Sequence, residues 1–289
     1  MQKKIAVIND LSGYGRCSLT VAIPVLSAMG HQCCPIPTAI LSNHTEFPVY
    51  FFDDYTEKMT TYTDKWKELG LSFDAIATGF LGSEAQIGIV MEIVQKLKAE
   101  KTFVVVDPVM GDHGHAYETY TPEMCEQMKE LVCMADVVLP NVTECCILTD
   151  TPYKEENWTR KELLNMAMML RLMGAKSVVI TGVREGSCYT NVVLEQGQYD
   201  AKFIRTRSSG GERPGTGDVF SSVVAGALLN RKSLPEAVSQ AAGFVKECIK
   251  VSDEEQIPHA NGVCFEKILG KLIKIVLRLH LTDRSMYAL

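Results

Sequence analysis

The chain has 289 residues, 46% of them hydrophobic and 22% charged, and a formal net charge of −6. This is the composition of an ordinary soluble globular protein, and a negative balance without a basic stripe excludes nucleic acid as the expected partner. No apolar run reaches membrane-span length, and Ile5–Ile8 is too short for a signal-peptide core, so the expected setting is cytoplasmic, with no membrane association and reduced cysteines.

The first strand is predicted over Lys4–Asn9 and a second over Phe73–Thr78. A helix over Glu84–Ala99 places Ile87, Val90, Met91, Val94 and Leu97 at helical spacing. Strands follow at Phe103–Asp107 and Val137–Leu139. A helix over Arg160–Met173 carries Leu163, Leu164, Ala167, Leu170 and Leu172, and a further strand runs over Ser177–Thr181. Alternating β and α units imply an α/β fold with a mostly parallel, doubly wound sheet, whose ligands sit at the strands' C-terminal ends. Beyond Thr181, Ser187–Glu195 and Gln198–Arg205 read as a hairpin about Gln196-Gly197. A glycine-rich loop, Ser208–Asp218, leads into helices over Val219–Asn230, Leu234–Val251 and Val263–Leu281. With no repeat and no interdomain linker, a single domain over residues 1–289 is expected.

Gly215-Thr216-Gly217-Asp218 opens a helix, where glycines let backbone amides approach an anion and the helix end adds partial positive charge. An aspartate opposes that anion, so Asp218 fits a general base for a hydroxyl; its simpler use is as a helix cap. Asp107-Pro108-Val109-Met110-Gly111-Asp112 follows a buried strand, and its carboxylates can steer magnesium through water or be solvated turn acids. Asn141-Val142-Thr143-Glu144 follows another strand, with Asn141 and Glu144 on one helical face; it can organise metal waters or merely start a helix. The phosphate-loop pattern fails, because Met169 stands where Gly174-Ala175-Lys176-Ser177 needs its first glycine. His113-Gly114-His115 lacks a third ligand for a metal and suits a mobile loop over a nucleotide.

In this order, DPVMGD, NVTE and GTGD resemble the ribokinase superfamily. Leu41–Thr45 (LSNHT) and Gly79–Ser83 (GFLGS) narrow the resemblance to its pyridoxal kinase branch, over about residues 4 to 251. The resemblance implies a three-layer ribokinase-like fold and ATP-dependent phosphorylation of the hydroxymethyl group of pyridoxal or a related B6 vitamer. It makes Asp218 the catalytic base and Gly215, Thr216 and Gly217 an anion hole. Asp107, Asp112, Asn141, Glu144 and Thr181 would serve ATP, with Asp107 and Glu144 reaching magnesium through water. Asp10, Cys17, Thr45 and Phe80 would contact the substrate ring alongside Asp218. A homodimer is implied, and an assisting monovalent cation is left open.

Two positions depart from the branch, which usually has serine at Asp10 and tyrosine at Phe80. An aspartate resembles hydroxymethylpyrimidine kinases, the first alternative, although those commonly end the anion hole in GTGC. A second alternative, of another reaction class, is an ADP-dependent NAD(P)H-hydrate dehydratase, which shares the GTGDV helix start.

Overall fold

Alternating side chains of the first strand go to opposite sides of a nine-stranded sheet, and this organises the molecule. The computed structural model describes residues 2–273. Strand β1 (Lys4–Tyr14) sends Ala6 and Ile8 into one hydrophobic core and Ile5 and Val7 into the other. Burial on both faces is the signature of parallel strands sandwiched between helices.

Helix α1 (Ser18–Ala28) carries Pro24 inside it and packs in the second core through Leu19, Val21, Val25 and Leu26. Strand β2 (Gln32–Asn43) pairs parallel to β1 despite Pro35 and Pro37. The Pro35 carbonyl accepts from the Tyr62 hydroxyl at 2.9 Å, away from β1, so the ring's missing N–H costs no ladder bond. Strand β3 (Phe52–Asp54) pairs antiparallel at that edge. Helix α2 (Thr56–Glu68), strand β4 (Ala75–Thr78), helix α3 (Glu84–Leu97) and strand β5 (Phe103–Val106) follow.

A short hairpin, β6 (Gly111–Asp112) with β7 (His115–Ala116), turns at His113 and Gly114, both at positive φ. The predicted mobile loop is thus a paired turn. Then come α4 (Pro122–Cys133), β8 (Val137–Val138), α5 (Val142–Thr149), α6 (Arg160–Met173), β9 (Ser177–Glu185), β10 (Cys188–Leu194), β11 (Lys202–Arg207), α7 (Thr216–Leu229) and α8 (Leu234–Glu254).

The sheet order is β11-β10-β9-β8-β5-β4-β1-β2-β3. Strands β2, β1, β4, β5, β8 and β9 are parallel, and β10, β11 and β3 antiparallel. This is the expected doubly wound architecture, a ribokinase-like sheet flanked by helices.

Three expectations need correction. The hairpin pairs Val193 with Lys202, so its second strand starts at Lys202, not Gln198; Glu195–Gln198 closes a turn first. On α6 the buried stripe is Leu163, Met166, Ala167 and Leu170, and Leu172 is 87% exposed. Of the predicted helix Val263–Leu281, Val263–Phe265 are not helical and Glu266–Ile268 is a 3-10 turn. Its residues beyond 273 lie outside the described region.

Candidate active site

The parallel strands deliver their polar residues to one edge of the sheet. Asn9 and Asp10 come from β1, Phe80 follows β4, Asp107 follows β5, Asn141 follows β8 and Thr181 lies in β9. Between the pairs Asn9–Pro37 and Leu11–Ile40, β2 takes one more residue than β1, a bulge that shifts the register of the two strands beside Asp10.

Helix α7 points its N-terminus at this edge. Gly215 caps it at φ 78° with no side-chain cap; Thr216 N–H leans on the Arg213 carbonyl at 3.4 Å, and the Gly217 and Asp218 amides remain for a ligand. A Cβ on Gly215 would lie 1.8 Å from the Arg16 carbonyl oxygen, so only glycine lets the two backbones meet. Thr216 turns its hydroxyl back to the Arg213 carbonyl at 3.0 Å, and Gly217 faces open space.

Asp218 stands in the first turn of α7, and its Oδ1 accepts from Asn9 Nδ2 at 3.2 Å. A small cavity of about 20 Å³ beside it is lined by apolar residues such as Ile5, Val7 and Leu26 and by the polar Asn9, Thr78 and Ser221. Desolvation pushes the Asp218 carboxyl up to about 6; the Asp10 charge adds to this, while the Ser18 amide and Asn9 oppose it.

On one flank of Asp218 lies Asp10, buried, accepting from Ser18 Oγ at 2.5 Å and Ser12 Oγ at 2.8 Å. Burial raises its carboxyl and the serine hydroxyls pull it down. Cys17 caps α1 close to both acids; burial and then their charges push its thiol up to about 12, so it stays neutral. Phe80 donates its backbone N–H to Asn9 Oδ1 at 3.0 Å, and its ring meets Tyr120 edge-on at 6.5 Å. Thr45 is exposed and no contact ties it to this group. Its neighbour His44 is the anchored member of the loop, bonded to the Ala260 carbonyl at 2.7 Å and packed beside Gly15.

On the other flank Asp107 is pushed up to about 8, by desolvation and then by the Asp218 charge. Glu144 is buried and raised well above the carboxylate range, by desolvation and then by Asp107. Its two oxygens accept from Met110 N at 3.1 Å and Asn141 N at 2.8 Å, completing a capping box on α5. Asn141 Nδ2 reaches the Gly111 carbonyl at 2.9 Å, and Asn141 bridges to Thr181. Asp112 is exposed beside His113, whose Nε2 lies 3.3 Å from Glu212 Oε2 of the glycine-rich loop.

Among the described residues, Asp10, Asp107, Glu144 and Asp218 thus converge without a lysine or arginine partner. Arg16 and Arg213 flank the glycine-rich loop, but they are committed to Glu266 at 2.7 Å and Asp253 at 2.8 Å. The residue that sequence reading passed over is Asn9, which bonds at once to the backbone of Asp10, to Phe80 and to Asp218.

Fold and site define a ribokinase-like small-molecule kinase, a phosphotransferase with an alcohol group as acceptor. A family model described as phosphomethylpyrimidine kinase matches residues 23–264. The chain belongs to that family, and within the ribokinase-like superfamily it falls on the pyridoxal kinase branch. A Bacteroides thetaiotaomicron protein provisionally named a phosphomethylpyrimidine kinase is 39% identical, with a TM-score of 0.91 and 94% of each chain covered. Its orthorhombic crystal form was determined with pyridoxal. Pyridoxal kinase from Lactobacillus plantarum is 27% identical, with a TM-score of 0.88, covering 95% of this chain and 98% of that one. The hydroxymethylpyrimidine/phosphomethylpyrimidine kinase of Aquifex aeolicus is 32% identical over 60% of this chain and 66% of that enzyme.

Proposed function

We infer that this chain transfers the γ-phosphoryl group of ATP to the hydroxymethyl group of pyridoxal or a related B6 vitamer, as in salvage to pyridoxal 5'-phosphate. The observation that carries this reading is Asp218, desolvated and raised to about 6, in the first turn of an uncapped helix that follows Gly215-Thr216-Gly217. A base poised just below neutral pH accepts the hydroxyl proton while adjacent amides stabilise the charge on the transferring phosphoryl group. Asp10, Cys17 and Phe80 form the wall for the ring, with Thr45 at its rim. Asp107, Asp112, Asn141, Glu144 and Thr181 form the ATP side.

Magnesium fits this donor set. Burial raises both Asp107 and Glu144, with the Asp218 charge adding to the first and the Asp107 charge to the second, and carboxylates that hold water around the ion are its usual partners. When bound, the ion would neutralise phosphate oxygens. We place the reaction in the cytoplasm, in one catalytic domain per chain. A homodimer has an exposed apolar run available at the β3 edge, Val49 to Phe52.

Glu144→Gln tests the acid side. The amide offers a single acceptor oxygen where two backbone N–H groups now bond, which should cost roughly 1–3 kcal/mol of stability. The magnesium concentration for half-maximal rate should rise about tenfold or more. A magnesium titration that matches wild type, with only stability lost, would reduce Glu144 to a cap of α5.

A second reading, hydroxymethylpyrimidine as acceptor, is favoured by the Aquifex aeolicus relative and by Asp10 at the expected ring-contact position. A coupled ADP-release assay on pyridoxal, pyridoxine, pyridoxamine and hydroxymethylpyrimidine decides between them. The highest kcat/KM is expected on a B6 vitamer, and a preference for the pyrimidine would overturn the assignment.

A further inference from the structure

Asn9 stands just past the last β1–β4 pair, where β1 continues along β2 alone, and its side chain is buried at 5% exposure. Its Oδ1 accepts two backbone N–H groups, from Asp10 and from Phe80, each at 3.0 Å. Two donors on one oxygen fix which end of the amide is oxygen, and so fix the NH2 group as well. That group donates to Asp218 Oδ1 at 3.2 Å, across 209 positions of sequence. Room for the amide comes from Gly79, where a Cβ would lie 2.4 Å from Asn9 Nδ2 and 2.6 Å from its Cγ.

We propose that Asn9 is a positioning residue for the catalytic carboxylate, its amide fixing, together with the Ser18 backbone N–H, the orientation in which Asp218 meets the acceptor hydroxyl. The proposal rests on Asp218 being the base. The terminal torsion of an aspartate is broad and intrinsically unselective, so a base on a helix end needs an external partner to choose its orientation. A lysine or arginine would do this but would also stabilise the carboxylate charge and weaken the base. A neutral amide orients it at a smaller loss of basicity. The amide is itself immobilised by the backbone of β1 and of the turn after β4, which is the support a precisely held catalytic group requires.

Asn9→Asp separates positioning from bracing. It keeps an acceptor for the Asp10 and Phe80 amides but replaces the donor with an acceptor against Asp218. Asn9→Ser, small and neutral, removes the reach to Asp218 without adding charge. Both variants should stay folded and lose about 10²-fold in kcat, while KM for ATP and pyridoxal stays within about 3-fold of wild type. Asp218→Asn, measured beside them, reports on the base itself. If Asp218→Asn is inactive and both Asn9 variants keep kcat within about 3-fold of wild type, the positioning role is overturned and the base stands. If kcat and both KM values change in parallel with a fall in unfolding midpoint, Asn9 only braces the strand ends and the proposal is likewise wrong. An active Asp218→Asn would remove the base, and the positioning role with it.

Discussion

Asp218→Asn should lower kcat by about 10²–10⁴-fold and leave ATP affinity near wild type, because a positioned base is lost while the helix amides remain. In the wild type, kcat/KM should fall as pH drops through about 6, where the Asp218 carboxyl takes up a proton. The variant should lose this acid limb. Stability moves the other way. The folded carboxyl is raised above the ordinary aspartate range, so its destabilising effect is full above about 6 and fades as pH falls towards the unfolded value. Asp218→Asn should therefore be more stable than wild type at neutral pH, by on the order of 1–3 kcal/mol, with the difference shrinking in acid. Steady-state kinetics against pH and urea unfolding at two pH values check both arms. Activity above about a tenth of wild type would reduce Asp218 to a first-turn acid that faces the helix dipole and is not the base.

Strands β1, β4, β5, β8 and β9 were legible because parallel strands buried on both faces are unbroken apolar runs. Helices α3 and α6 were legible from apolar residues at helical spacing. The stretch from α1 to α2 was not. Helix α1 is apolar all round, rich in β-branched residues and interrupted by Pro24, so neither helical spacing nor propensity marks it. Strand β2 holds two prolines, tolerated because β3 pairs only with Ala39–Leu41 and leaves that side of Pro35 and Pro37 unpaired. Helix α2 fully buries only Met59 and Thr63, and the rest of its core-facing stripe is the half-buried aromatics Tyr62 and Trp66 among many polar residues. Helix α4 did carry its signals, Thr121 as cap, Pro122 in the first turn, and Met124, Met128 and Leu131 at helical spacing.

The site was more legible than the fold around it, because each motif follows a strand and the strands share an edge. What motif reading could not supply was the partner of each group. Asp10 has both oxygens engaged by Ser12 and Ser18, and no spacing rule announces that pair of hydroxyls. Glu144 looks in sequence like a metal-side acid, yet its oxygens are also the acceptors that hold Met110 and the start of α5. Asn9 was read only as the end of a strand. Its one available signal was a polar residue closing an apolar run at the edge where ligands bind.

Gly215→Ala should be the most damaging single-methyl change near the site. Gly215 holds φ at 78°, a left-handed conformation that costs a non-glycine residue about 1–3 kcal/mol. The new Cβ would also fall 1.8 Å from the Arg16 carbonyl oxygen, a separation no side-chain rotation can relieve. Arg16 cannot simply retreat, because its backbone is also packed against Gly262, where a Cβ would come within 3.0 Å of it. The α7 start must therefore move, carrying Asp218 and the first-turn amides away from the strand ends. Displacement of a reacting group by about 1 Å is worth about 10²-fold in rate, so kcat should fall by at least that factor along with the stability loss. Gly217→Ala is the informative companion, because its Cβ would meet nothing within 4 Å and its stability should match wild type. Urea unfolding and kcat on both variants make the comparison. If Gly215→Ala behaves like Gly217→Ala in stability, contact between Arg16 and the loop does not fix the helix start, and the geometric basis for the anion hole fails.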